Sequence, residues 1–163
     1  MHHPYHLEDL FNTADLDIKD GKLEAAVEKL EQILAEEPTF GKAYNHLGWL
    51  NETKFKNFNE AEKYYKLALQ YAPEYGAAYK NYAILLSTLK KYDTLKEVLE
   101  QALHVPGMDK ATVYNEYGIM YEQLEEYETA IAYYRDAAKA TINDKTMEAA
   151  LNSIKRCNTK MSL

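Results

Sequence analysis

Four small residues recur at nearly constant intervals along this 163-residue chain, and that regularity restricts the fold more than any other feature. Ala14, Gly48, Ala83 and Gly118 are separated by 34, 35 and 35 residues. A second series, Ala26, Ala61, Leu95 and Ala130, stays in phase with it at spacings of 35, 34 and 35. Large side chains keep fixed offsets around both. The first series reads Tyr44-x2-Leu47-Gly48-x2-Asn51, Tyr79-x2-Tyr82-Ala83-x2-Leu86 and Tyr114-x2-Tyr117-Gly118-x2-Tyr121. The second reads Ala61-x3-Tyr65-x2-Ala68, Leu95-x3-Leu99-x2-Ala102 and Ala130-x3-Tyr134-x2-Ala137. Self-similarity at this period marks an architecture in which each unit buries its apolar face against the next.

The repeating element reads as a pair of helices. Leu23, Val27, Leu30 and Leu34 recur at helical spacing, as do Tyr64, Leu67, Ala68 and Tyr71, and no comparable stretch alternates with period two. A supply of 6 Gly and 4 Pro against 15 Tyr is ill suited to a turn-rich sheet. Breaks fall at Asp20-Gly21, Lys56-Asn57, Lys90-Lys91, Pro106-Gly107 and Glu125-Glu126, with Pro38 and Pro73 closing two helices. None is long enough to link separate domains.

Over residues 7–144 the pattern resembles the tetratricopeptide repeat, with a large aromatic, Leu-Gly and Tyr in one helix, then Ala, an aromatic, Ala and a closing Pro in the next. The resemblance implies an all-α, right-handed superhelical solenoid in one domain. Its four helix-turn-helix repeats would occupy about 7–40, 41–75, 76–110 and 111–144, with a C-terminal capping helix over 145–158. Gly48 and Gly118 would let the helices carrying Ala61 and Ala130 lie close. Several positions depart from the pattern: Thr13, Asp17 and Ile33 in the first unit, Leu95 and an early Pro106 in the third, and one extra residue between Glu52 and Phe58, where packing should be looser or re-angled. In the last segment Asn143 or Asp144 can cap a helix whose Met147, Ala150, Leu151 and Ile154 share one face. That helix covers the fourth unit or offers a dimerisation surface.

Charge and motifs exclude several function classes. With 19 basic against 26 acidic side chains the net charge is -7, which disfavours nucleic acid and anionic membranes as partners. No apolar run approaches the roughly 18 residues of a membrane span, and the single Cys157 cannot form an internal disulfide, so the expectation is a soluble cytoplasmic protein. There is no phosphate-binding Gly-rich loop, GxSxG, CxxC or HExxH, and the chain is expected to be no enzyme and to hold no cofactor and no metal. His2, His3 and His6 have ligand-compatible spacing but read as a terminal segment. His46 and His104 read as isolated helical imidazoles, and Cys157 as a small, partly buried residue.

The resemblance directs attention to the concave wall formed by the first helix of each pair. Carried onto this chain, that wall presents Glu8, Phe11, Asn12 and Asp15, then Lys42, Asn45, His46 and Trp49, then Lys80, Asn81, Ile84 and Thr88, then Asn115, Glu116, Ile119 and Gln123. The expected partner-binding residues are Asn45, Trp49, Lys80, Asn81, Ile84, Asn115 and Ile119, because amides can hold a peptide backbone while Trp49 and the two Ile offer apolar anchors. Trp49 reads equally as helix packing and as an exposed anchor, and the Asn residues equally as solvated positions. The family's carboxylate clamp is not reproduced. Its places hold Phe11, Asp15, His46, Ala77 and Asn81 in one register and Asn45, Trp49, Asn81, Thr112 and Glu116 in the next, where Asp15 or Glu116 would repel a carboxylate. The expectation is a module binding a protein or peptide ligand. The alternative is a structural scaffold that self-assembles into a homo-oligomer through its convex face and ends.

Overall fold

The structure, a computed structural model, describes residues 6–163. His2 and His3 lie outside the described residues. Among the described residues, nine α-helices and no strand are found: α1 (His6–Lys19), α2 (Leu23–Glu36), α3 (Gly41–Thr53), α4 (Phe58–Tyr71), α5 (Gly76–Thr88), α6 (Tyr92–Leu103), α7 (Lys110–Gln123), α8 (Tyr127–Ala140) and α9 (Asp144–Met161). Two compact units are present, Met1–Asn81 and Tyr82–Leu163, with the boundary inside α5.

Tight turns join the two helices of each pair, and all four use one left-handed residue: Gly21, Lys56, Lys90 and Glu125, with φ of 77°, 54°, 56° and 61°. In three turns the residue that follows donates its N–H back across the helix end, from Lys22 to the Asp17 carbonyl, Lys91 to Leu86 and Glu126 to Tyr121. This closes otherwise orphaned carbonyls in the manner of a Schellman motif. In the second turn the same bond runs from Asn57 to Asn51, one residue longer, so the extra residue is absorbed in the turn. Across this turn α3 and α4 touch more extensively than α1 and α2 and slightly less than α7 and α8.

In the first unit α1 packs on α2, α2 on α3 and α3 on α4. Phe11, Ala14, Leu30, Ile33, Ala43, Leu47 and Leu50 form its buried cluster, with Phe40, Trp49 and Tyr64 packed against it. Gly48 admits the ring of Tyr65 on α4, since a Cβ there would come within 2.7 Å of Cδ1. The small residue thus admits a ring from α4, the helix that also carries Ala61. Tyr65 is fully buried and donates its hydroxyl to Glu52, 2.6 Å away.

The second unit repeats this device. A Cβ on Gly118 would lie 2.5 Å from Cε1 of buried Tyr134, whose hydroxyl donates to Oε2 of Glu122 at 2.8 Å. Here α7 packs on α8 and α8 on α9. The side chain of Asn143 accepts from the N–H of Thr146 and starts α9, which runs to Met161, past the expected end at 158. Cys157 is fully buried, more than its position near the end of a helix implied, and clusters with Ala130 and Tyr134. Arg156 and Lys160 reach back to Glu122.

Candidate functional site

Helical periodicity brings polar residues of three helices to one hollow of about 330 Å³ within the first unit. Asp15, Ile18 and Lys19 lie one turn apart on α1, Asn45, His46 and Trp49 do so on α3, and Ala77 and Asn81 on α5, with Tyr75 from the preceding turn completing the lining.

On its floor, Asn45 is 3% exposed and its Oδ1 accepts from Asn81 Nδ2 at 3.0 Å. Burying Asn45 is tolerated because Asn81 supplies a partner. Asp15 stands nearer solvent. Its Oδ2 pairs with Lys19 Nζ at 2.7 Å and its Oδ1 lies 3.3 Å from His46 Nε2. The Lys19 bond, helped by His46, holds the Asp15 carboxyl below the usual carboxylate range despite some burial. His46 itself is pushed down by burial, partly offset by Asp15 and by the backbone of Lys42, and its Nδ1 is sealed from solvent. The ring donates from Nε2 to the Asp15 carboxylate. Phe11 meets the imidazole edge-on at 4.5 Å.

Trp49 is half-buried against the core, and one side of it lines the hollow. Lys54 Nζ sits 5.5 Å from the ring centroid. Burial raises the Tyr75 phenol, and the nearby charges of Asp15 and Glu8 raise it further.

Of the expected binding residues, Asn45, Trp49 and Asn81 meet in this hollow. Lys80 is exposed and does not line it. Ile84, Asn115 and Ile119 belong to the second unit, where Ile84 is 38% exposed, Asn115 half-buried and Ile119 packed on the Ala130, Tyr134 and Cys157 cluster. His46 is not isolated, since Asp15 partners it, and His104 terminates α6 instead of lying within it. Sequence reasoning missed Ile18, Lys19 and Tyr75 as lining residues. Tyr75 precedes α5, and its one signal is that Phe40 stands 35 residues earlier at the start of α3.

The hollow sets a carboxylate, a lysine, two amides, an imidazole and an indole side by side, which suits recognition of mixed polar and aromatic groups. Among the described residues no three His, Cys, Asp or Glu side chains gather as a metal site, and no helix is long and apolar enough to cross a membrane.

Two family models, both of the tetratricopeptide repeat, match residues 11–75 and 111–141. The chain belongs to the tetratricopeptide repeat family. Solved structures agree in fold. Yeast Tom70 superposes with a TM-score of 0.82 at 17% identity, over 98% of this chain and 34% of that one, so the chain spans about a third of its length. A double mutant of MamA RS-1 gives 0.69 at 16% identity, over 95% and 96%. A thermophilic tetratricopeptide-repeat protein of Thermus thermophilus gives 0.65 at 20%, over 99% and 84%. No curated protein matches the sequence. With nine helices and no strand among the described residues, this tetratricopeptide-repeat chain is an all-α helical-repeat solenoid.

Proposed function

We propose that this chain is a protein-interaction module that holds an extended peptide or a partner's helix against α1, α3 and the start of α5, without performing chemistry. An interaction or scaffold role fits the family and its structural neighbours. The observation that carries the finer reading is the convergence of Asn45, Asn81 and Trp49 on one open hollow, where amides can bond a peptide backbone and the indole can cover an apolar side chain. Trp49 is the only tryptophan, so its emission reports on the site directly.

Peptides selected from a random displayed library against the purified chain test this. The expected result is that binding shifts Trp49 emission and weakens at least tenfold in the Trp49→Ala, Asn81→Ala double variant. Selected peptides that bind both forms equally would remove the hollow as the site.

Self-assembly is the second reading, favoured by Leu151, which is 53% exposed on α9. Sedimentation velocity across a hundredfold concentration range decides it, since assembly requires a mass that rises with concentration.

A further inference from the structure

The hollow has a polarity of its own. Asp15 is its carboxylate, and its closest cation is Lys19, one turn away on the same helix and 66% exposed. Exposed pairs at this spacing are weak, so the Lys19 ammonium is readily exchanged for another cation. His46 approaches the other carboxylate oxygen through Nε2 at 3.3 Å, and burial disfavours its charged form. The Asn45–Asn81 bond fixes the second amide so that Asn81 keeps its Oδ1 as an acceptor. Trp49 contributes an aromatic ring, and Lys54 at 5.5 Å shows that this ring already attracts a cation. A wider field points the same way, because residues 6–37 carry ten carboxylates against three lysines.

We propose that the hollow between α1, α3 and α5 is a subsite for a cationic side chain of the bound peptide, an arginine in particular. Its guanidinium replaces Lys19 on Asp15, donates to Asn81 Oδ1 and lies against Trp49. Arginine suits the site better than lysine, because a planar fork of donors can serve the carboxylate and the amide together while stacking on the indole. An acidic side chain would meet Asp15 and be turned away. This subsite rests on the reading of the hollow as a peptide site and gives that reading a chemical preference.

The test uses three synthetic nonapeptides of Gly and Ala differing only at the centre, which is Arg, Glu or norleucine, titrated into the full chain while Trp49 emission is followed. The expected result is that the Arg peptide binds at least tenfold more tightly than the Glu peptide. Asp15→Asn should shrink that ratio at least fivefold, with an unchanged circular dichroism spectrum. Lys19→Ala should strengthen Arg binding two- to fivefold by removing the competing ammonium. Equal binding of the three peptides, or a ratio unmoved by Asp15→Asn, overturns the arginine subsite while leaving the peptide site intact. No response to any of them at millimolar concentration, together with library peptides that ignore the hollow, overturns both.

Discussion

Arg156 on α9 grips Glu122 on α7 with two parallel hydrogen bonds, Nε to Oε1 and Nη2 to Oε2, each 2.7 Å long. Lys160 adds a bond of 2.9 Å and the Tyr134 hydroxyl one of 2.8 Å, so a carboxylate only 9% exposed is satisfied by three side chains. This one carboxylate fastens the last helix to the pair beneath it.

Arg156→Ala leaves Glu122 with Lys160 and Tyr134, and the half-exposed guanidinium is lost together with its bidentate geometry. The expected cost is about 1–2 kcal/mol, below that of breaking a fully buried pair. Urea denaturation should show the loss, and hydrogen exchange should quicken in α9 before it does in α7.

Acid should weaken the second unit through the same residue. The Arg156 bonds, with those of Lys160 and Tyr134, hold Glu122 down to about 2, against an unfolded value near the ordinary glutamate range. A carboxyl depressed in the folded state contributes stability that is complete above its unfolded pKa and is lost as pH falls towards the folded one. Stability should therefore decline between about pH 5 and pH 2. Glu52, its counterpart beside Tyr65, is raised by burial and acts in the opposite direction, favouring the fold slightly as it protonates. Urea midpoints at pH 7, 4 and 2.5 should fall in that order, and Glu122→Gln should flatten the decline.

Gly48 and Gly118 touch tyrosine rings that are fully buried and hydrogen-bonded, so neither ring can move aside freely. Gly48→Ala or Gly118→Ala should cost about 1–3 kcal/mol by overpacking. Ala68→Leu and Ala137→Leu, at buried sites on the partner helices, should do the same. Thermal melts check all four, and an unchanged melting temperature in the glycine variants would contradict the packing described.

Lys90 and Glu125 hold the left-handed conformation that Gly21 supplies in the first turn. Replacing either by glycine relieves the Cβ clash at some cost in chain entropy, for a net gain of about 0.5–1 kcal/mol. Melting temperatures of Lys90→Gly and Glu125→Gly should rise by a few degrees.

Much of the fold was legible because the repeat is written in residue size. Small residues at 34 and 35 residue spacing located every helix pair, and the breaks they flank became the turns. The ring that enters beside each glycine was less legible. Tyr65 belongs to the repeating pattern, but only the structure places it over Gly48 with its hydroxyl on Glu52. Polar pairings across helices leave no periodic trace, so the links from Asp15 to His46, Asn81 to Asn45 and Arg156 to Glu122 could not be read from spacing. The hollow shows this division. Family positions led to Asn45, Trp49 and Asn81, while Lys19 and Tyr75 enter it from one turn further along α1 and from the turn before α5.

The most direct measurement of the central claim is a hydrogen-exchange footprint of the chain saturated with a library-selected peptide. Protection should rise along α1, along α3 around Asn45 to Trp49, and over residues 76–81 of α5, and it should vanish in the Trp49→Ala, Asn81→Ala variant. Protection confined to the outer helices α2 and α4, or to α9, with no change around Trp49, would contradict it.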